Sequence, residues 1–239
     1  MGNQKSHPKI NYTYEPPVER YLSLNTQNYT DFEKQMKLNL INITELDFSL
    51  QKNDHSKMFE YCKQIPNLKM LHFKNCSLED DKIDQFISLI KEKKLSYLNL
   101  MDNKITQVGA KKLFDSLAQN DTLEILNLMF NQIKNEDTLF DFLKQNYTLC
   151  ILGITGNELS LSTKENLLEN LHFNHTLNNI LMDNNHPESQ HVVNTIREIL
   201  VENKTKKPIK LLILLLRREK KSILSILPRR LVIYLLKFI

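Results

Sequence analysis

The sequence predicts an α/β solenoid. About six stacked strand-and-helix units set a curved parallel β-sheet on the concave side and α-helices on the convex side, with helical caps. Two observations predict it. One pattern occurs twice in succession, as Leu95-x-x-Leu98-x-Leu100-x-x-Asn103-x-Ile105 and Leu123-x-x-Leu126-x-Leu128-x-x-Asn131-x-Ile133. Between the copies, apolar residues change from strand spacing to helical spacing. Such a unit cannot bury its own core and must stack on a copy of itself.

Residues 1–37 read as an N-terminal tail and cap. Met1-Gly2-Asn3-Gln4-Lys5-Ser6 fits M-G-x-x-x-[ST], the N-myristoylation pattern, which needs a free amine on Gly2 after Met removal. One acyl chain binds a membrane only marginally, so peripheral membrane contact through Gly2 needs a second signal, such as the basic tail. After Pro16-Pro17 and the stretch Val18 to Leu24, a helix over Asp31 to Lys37 is expected to shield the first open core edge.

Residues 38–188 read as the repeats. Their strand cores are Leu46-Asp-Phe48, Leu71-His-Phe73, Leu98-Asn-Leu100, Leu126-Asn-Leu128, Leu152-Gly-Ile154 and Ile180-Leu-Met182, with leading positions 25, 27, 28, 26 and 28 residues apart. The following turn carries Asn103, Asn131, Asn157 and Asn185, with Cys76 in the second repeat and Gln51 or a neighbour in a degenerate first one. A side chain is needed there to hydrogen-bond the turning backbone inside the stack. Helical faces follow at Ile83, Phe86, Ile87, Ile90; at Val108, Leu113, Leu117; at Leu139, Phe142, Leu143; and at Leu167, Leu168, Leu171.

His186-Pro187 closes the sixth strand, and residues 189–203 read as a capping helix begun by Ser189, with Val192, Val193, Ile196, Ile199 and Leu200 on one face. Lys204 to Pro208 reads as a basic break, and residues 204–239 as a basic, apolar helical tail. From Lys204 the chain holds eleven Lys and Arg against one acid, Glu219, so the tail is +10 and the rest −6. That asymmetry points to an anionic surface or an acidic partner. The run Leu211 to Leu216 is six residues, where a membrane span needs about twenty.

These units resemble the leucine-rich repeats of the ribonuclease-inhibitor type, whose repeat is a strand plus a full α-helix. The resemblance spans roughly residues 40 to 190 and is most specific in the third and fourth repeats. It implies the fold and not ribonuclease binding, because the heavy cysteine use of that inhibitor is absent. GTPase regulators of the Ran-activating kind share the repeat type, and no residue here is assignable to that role. In the tail, Leu227-Pro228-x-x-Leu231-x-x-x-Leu235 resembles the L-P-x-x-Φ-x-x-x-Φ segment of the F-box and of the cullin-binding half of the SOCS box. That implies a ubiquitin-ligase adaptor contact at Leu227, Pro228, Leu231 and Leu235, with the repeats reading a substrate. Only eleven residues follow Pro228, too few for a whole F-box. The other readings of the tail are a helix pair capping the solenoid and a basic helix on a membrane surface.

No chemistry of the catalytic kind is expected. Four glycines in the whole chain leave no Gly-rich phosphate loop, and Cys62, Cys76 and Cys150 form no C-x-x-C pair, as expected of reduced thiols in a cytoplasmic protein. Of seven histidines only His172 and His175 are neighbours, so no metal site and no cofactor are expected. Asp80-Asp81 and Glu136-Asp137 stand at helix starts, where the helix dipole favours acids. The basic tail has no interleaved aromatics, so specific nucleic-acid binding is not expected. The triplets Asn120-Asp-Thr, Asn146-Tyr-Thr and Asn174-His-Thr read as products of the repeat and not as glycosylation sites.

The informative surface is the strand face. Alternate residues of a strand point to opposite sides. With the leucines inside, one outward lane is Met70, Tyr97, Ile125, Ile151 and Asn179. A second is His72, Asn99, Asn127, Gly153 and Leu181, and a third is Lys74, Met101, Met129, Thr155 and Asp183. An apolar stripe with polar margins marks an interaction site, and methionine adapts its shape to a partner. Met70, His72, Tyr97, Asn99, Met101, Ile125, Asn127, Met129, Ile151 and Thr155 are therefore the candidate contacts for a protein partner. The competing expectation is that the stripe packs under the loops of the helices or under the chain's own tail.

Overall fold

The computed structural model describes residues 21–24, 29–52, 55–134, 138–183 and 187–218. The elements alternate: β1 (Tyr21–Ser23), α1 (Tyr29–Asn39), β2 (Glu45–Asp47), α2 (His55–Gln64), β3 (Met70–His72), α3 (Ile83–Lys93), β4 (Tyr97–Asn99), α4 (Gln107–Leu117), β5 (Ile125–Asn127), β6 (Ile151–Gly153), α5 (Leu161–Leu171), β7 (Asn179–Leu181) and α6 (Gln190–Arg218). The strands form one parallel sheet in sequence order, β1 to β7, so each is flanked by its chain neighbours. The six expected strands are β2 to β7. The seventh, β1, lies in the segment read as a cap, and it pairs in register with β2, Leu22 beside Leu46. Leu24, Phe32 and Met36 join the common core, so the first unit is a repeat in its own right.

The core is a stack of equivalent positions. Leu46, Leu71, Leu98, Leu126 and Leu152 are fully buried, and Ile180 on the last strand is 9% exposed. Two residues on, Phe48 and Phe73 fill the first repeats, where Leu100 and Leu128 suffice later. The phenylalanines pack edge to face, Phe73 on Phe86 at 5.1 Å and Phe59 on Phe86 at 4.9 Å, an arrangement that adds to simple burial.

Among the described residues, the turns after β2 to β6 are each held by one side chain reaching back to the previous repeat. Asn103 Nδ2 donates to Phe73 O at 2.8 Å, Asn131 Nδ2 to Leu100 O at 2.9 Å, and Asn157 Nδ2 to Leu128 O at 2.9 Å. Cys76 does the same through Sγ to Phe48 O at 3.2 Å, and Gln51 through Nε2 to Leu24 O at 3.0 Å. Gln51 is thus the ladder residue of the degenerate repeat. Asn185 lies outside the described residues.

A second ladder runs along the opposite edge, where helices turn into strands. Asn146 Oδ1 accepts from Thr148 N and Leu149 N, while its Nδ2 donates to Leu117 O at 2.7 Å and Asn120 O at 3.3 Å. Asn174 repeats this with Thr176 N, Leu177 N, Leu143 O and Asn146 O. Asn203, within α6, reaches Asn174 O and Leu177 O. The N-x-T triplets are these turns; Asn146 is 1% and Asn174 0% exposed, while Asn120 is half-buried.

Two expected elements differ. The face Leu139, Phe142, Leu143 does not belong to an α-helix; a 3-10 turn spans Asp141–Lys144. Its repeat is two residues shorter than its neighbours of 28, and aromatic bulk fills the space. Phe142 stacks on Phe114 at 4.7 Å, and Phe140 lies 5.7 Å from the same ring. The expected break at Lys204 to Pro208 is also absent, because α6 runs unbroken from Gln190 to Arg218. Proline removes one backbone donor and crowds the preceding turn, but the Lys- and Leu-rich sequence around it has high helix propensity. Among the described residues no helix is long and apolar enough to cross a membrane.

Candidate functional site: the concave strand face

The strand register sets the outward residues side by side as the alternation requires. Met70 pairs with Tyr97, Tyr97 with Ile125, Ile125 with Ile151 and Ile151 with Asn179. His72, Asn99, Asn127, Gly153 and Leu181 form the neighbouring row. The first row is half-buried throughout, between a core that is closed and solvent that is open. β1 and β2 extend both rows: Tyr21 and Glu45 continue the first, Ser23 and Asp47 the second.

This extension gives the face two unlike ends. On β1 to β4 lies a web of polar and aromatic groups. His72 Nε2 lies 2.7 Å from Glu45 Oε1, and the His72 ring sits 4.9 Å from the ring of Tyr97. The Tyr21 hydroxyl donates to Asp47 Oδ2 at 2.8 Å. Burial, with the nearby Asp47 carboxylate adding to it, pushes the Tyr21 phenol up to about 12. Burial also raises Tyr97, and the charge of Glu45 reinforces the shift. On β5 to β7 the two rows are uncharged, with only Asn127 and Asn179 polar. Ile125 and Ile151 lie in line, and Met129 packs on Gly153, where a Cβ would sit 3.0 Å from the Met129 Cγ.

Not every candidate contact has a free hand. Asn99 Oδ1 accepts from Met101 N at 3.0 Å and Asn127 Oδ1 from Met129 N at 3.0 Å, so each caps the exit of its own strand. Asp47 does likewise for Ser49 N at 2.8 Å. The sequence reading missed Tyr21, Glu45 and Asp47, because it began its lanes at β3. It also missed Phe130, which is 47% exposed beside Met129 at the edge of the face. Phe130 holds a left-handed backbone, φ 53°, as do Leu50, Asn75 and Asp102 at equivalent turns. Its ring lies against Gly156, also left-handed at φ 73°, where a Cβ would collide with it.

Elsewhere the titratable groups have structural work. Asp80 accepts from Thr106 N at 2.9 Å and Thr106 Oγ1 at 2.6 Å, which ties one helix start to the next. Burial drives the Cys62 thiol far up and the Cys76 thiol to about 12, so neither is a thiolate near neutrality. Among the described residues no group of three His, Cys, Asp or Glu could hold a metal ion. Gly2 and the segment Leu227, Pro228, Leu231, Leu235 lie outside the described residues.

Comparison with known proteins agrees with this architecture. A leucine-rich-repeat family model matches residues 92–114 and 119–137. No curated protein matches the chain. Among solved structures, leiomodin-1 actin-binding site 2 superposes with a TM-score of 0.55 at 17% identity, over 66% of this chain and 95% of that one. The tropomodulin C-terminal domain of Caenorhabditis elegans gives a TM-score of 0.45 at 14% identity, over 71% and 89%. With the parallel sheet and the ladder, the repeat-model match and the leiomodin-1 superposition give the chain a leucine-rich-repeat solenoid fold. Neither the ribonuclease-inhibitor type nor the adaptor box in the tail finds support in them.

Proposed function

We propose that this chain is a non-catalytic recognition scaffold that holds a protein partner on its concave strand face. The observation that carries the reading is the row Met70, Tyr97, Ile125, Ile151, side by side in strand register and half-buried without belonging to the core. Apolar side chains in such a row cost little to desolvate and supply the centre of an interface, with Met101 and Met129 two rows away on the same face as adaptable contacts. The fold suits the task, because a solenoid presents an extended surface set by rigid strands. The structural neighbour titled an actin-binding site supports protein recognition by this architecture and makes actin the first partner to test.

The test is affinity capture from cell extract and co-sedimentation with filamentous actin, using wild type and the double variant Tyr97→Asp, Ile125→Asp. Loss of capture with an unchanged far-UV circular dichroism spectrum is the expected result. Capture that survives the double variant would sink the reading. No observation on the described residues favours the ligase-adaptor or GTPase-regulator alternatives.

A further inference from the structure

We propose that the concave face takes a partner segment bearing a Lys or Arg side chain beside an apolar run, the cation seated over Glu45 and Asp47 between the rings of Tyr21 and Tyr97. The inference rests on the reading of this face as a partner site and names the chemistry of what binds there.

In the first two rows of the face charge is confined to one end, and the third row adds Lys74 and Asp183 at its margin. In the two rows that line it, the only ionisable carboxylates are Glu45 and Asp47, two residues apart on β2 and therefore on the same side of the sheet. From β4 to β7 those rows are uncharged: Tyr97, Ile125, Ile151 and Asn179 in one, Asn99, Asn127, Gly153 and Leu181 in the other. Both carboxylates are fixed in place. Glu45 is 5% exposed and one of its oxygens is held by His72, while Asp47 is held by the Tyr21 hydroxyl and by Ser49 N. Neither makes an ion pair with a Lys or Arg among the described residues. Two carboxylates, one of them almost enclosed, thus stand beside Tyr21 and Tyr97 with no Lys or Arg at ion-pair distance among the described residues.

A cation that enters meets complementary groups on every side. The carboxylates attract it in a partly dehydrated setting, where charge interactions are stronger than in water. The faces of Tyr21 and Tyr97 add cation–π attraction. An acidic segment would be repelled at the same place, so the arrangement selects by sign and also sets direction. The cation lies at β2, and the apolar contact is centred on Ile125 of β5. Three strand spacings of about 4.8 Å put the two roughly 14 Å apart. The partner segment therefore crosses the strands, its basic residue toward β1 and its apolar residues toward β7.

The experiment is selection of a random peptide display library on the full chain, followed by fluorescence anisotropy with the enriched peptides. Three proteins are compared: wild type, the charge-removing pair Glu45→Gln and Asp47→Asn, and Ile125→Asp. Gln keeps the shape and an acceptor for His72, and Asn keeps an acceptor for Ser49 N while its amide donates to the Tyr21 hydroxyl; thermal melts check folding, and Asp47→Asn alone serves if the pair is unstable. The expected peptides carry Lys or Arg next to an apolar cluster. Their affinity for the charge-removing variant should fall by about tenfold, the size of a single well-placed charge contact. The wild-type affinity should weaken with salt, and that of the variant should not. Peptides that bind through Ile125 but show no basic preference, or basic peptides indifferent to Glu45→Gln and Asp47→Asn, would overturn this inference and leave the scaffold reading standing. No enrichment, or equal binding to Ile125→Asp, would overturn both.

Discussion

Replacing Asn146 by alanine tests the second ladder most directly. The side chain is 1% exposed and makes four bonds, to Thr148 N at 3.1 Å, Leu149 N at 2.8 Å, Leu117 O at 2.7 Å and Asn120 O at 3.3 Å. Leu117 O keeps a bond from Asn120 N at 3.0 Å, so it is not orphaned. The Leu149 amide is different: it heads the strand turn, its residue is 0% exposed, and alanine offers it nothing. An unsatisfied buried amide costs about 1–3 kcal/mol, and each further bond lost about 1 kcal/mol or less. The sum is on the order of 3 kcal/mol, a large part of the stability of a domain this size. Urea unfolding followed by circular dichroism measures it, with an unchanged slope showing that the same surface is exposed. Tyr147→Ala, next door and 44% exposed, is the control and should shift stability far less. A loss below about 1 kcal/mol for Asn146→Ala would mean that water replaces the amide, and the account of the ladder would fail.

Three further outcomes follow from particular sites. Lys164 is 4% exposed and donates to Ser189 Oγ at 3.3 Å; burial holds its ammonium below the ordinary lysine value, with Asp183 opposing. The unfolded chain then binds more protons than the folded one in the window just under the ordinary value near 10.4. Stability should rise with pH across that window, and Lys164→Met should flatten the rise in a series of urea midpoints. Gly156→Ala should destabilise by about 1–3 kcal/mol in the same assay, since it adds a left-handed side chain against the Phe130 ring. Under native conditions a thiol alkylating reagent should modify Cys150 and spare the buried Cys62 and Cys76, read as a single adduct by intact mass.

The strands and the first ladder were legible because their signal is local and repeated. Leu98 and Leu100 with Asn103, then Leu126 and Leu128 with Asn131, announce both spacing and role. β1 was hidden by length. Leu22 and Leu24 lie 24 residues before Leu46 and Phe48, after Pro16-Pro17, and Gln27 stands where later repeats carry Asn, so the stretch read as a cap. The 3-10 turn at Asp141–Lys144 was hidden by residue type, because Leu139, Phe142 and Leu143 bury equally well in either helix. The second ladder was visible as N-x-T triplets but not interpretable, since an asparagine amide shows its partners only once the neighbouring turn is in place. The acidic end of the concave face depended on β1 and β2, and once β1 was missed Tyr21 could not be set beside Asp47.

The left-handed backbone at Phe130 has a consequence for how this surface could change over generations. Glycine would relieve φ 53° there at once. A bulky aromatic in that conformation costs free energy, and half its ring faces solvent where burial returns little. A population selected for stability alone would drift to glycine at this turn, as Gly156 already stands at the next. Phe130→Gly is thus a substitution expected to firm the fold, and its effect on capture of a partner separates selection for folding from selection for recognition.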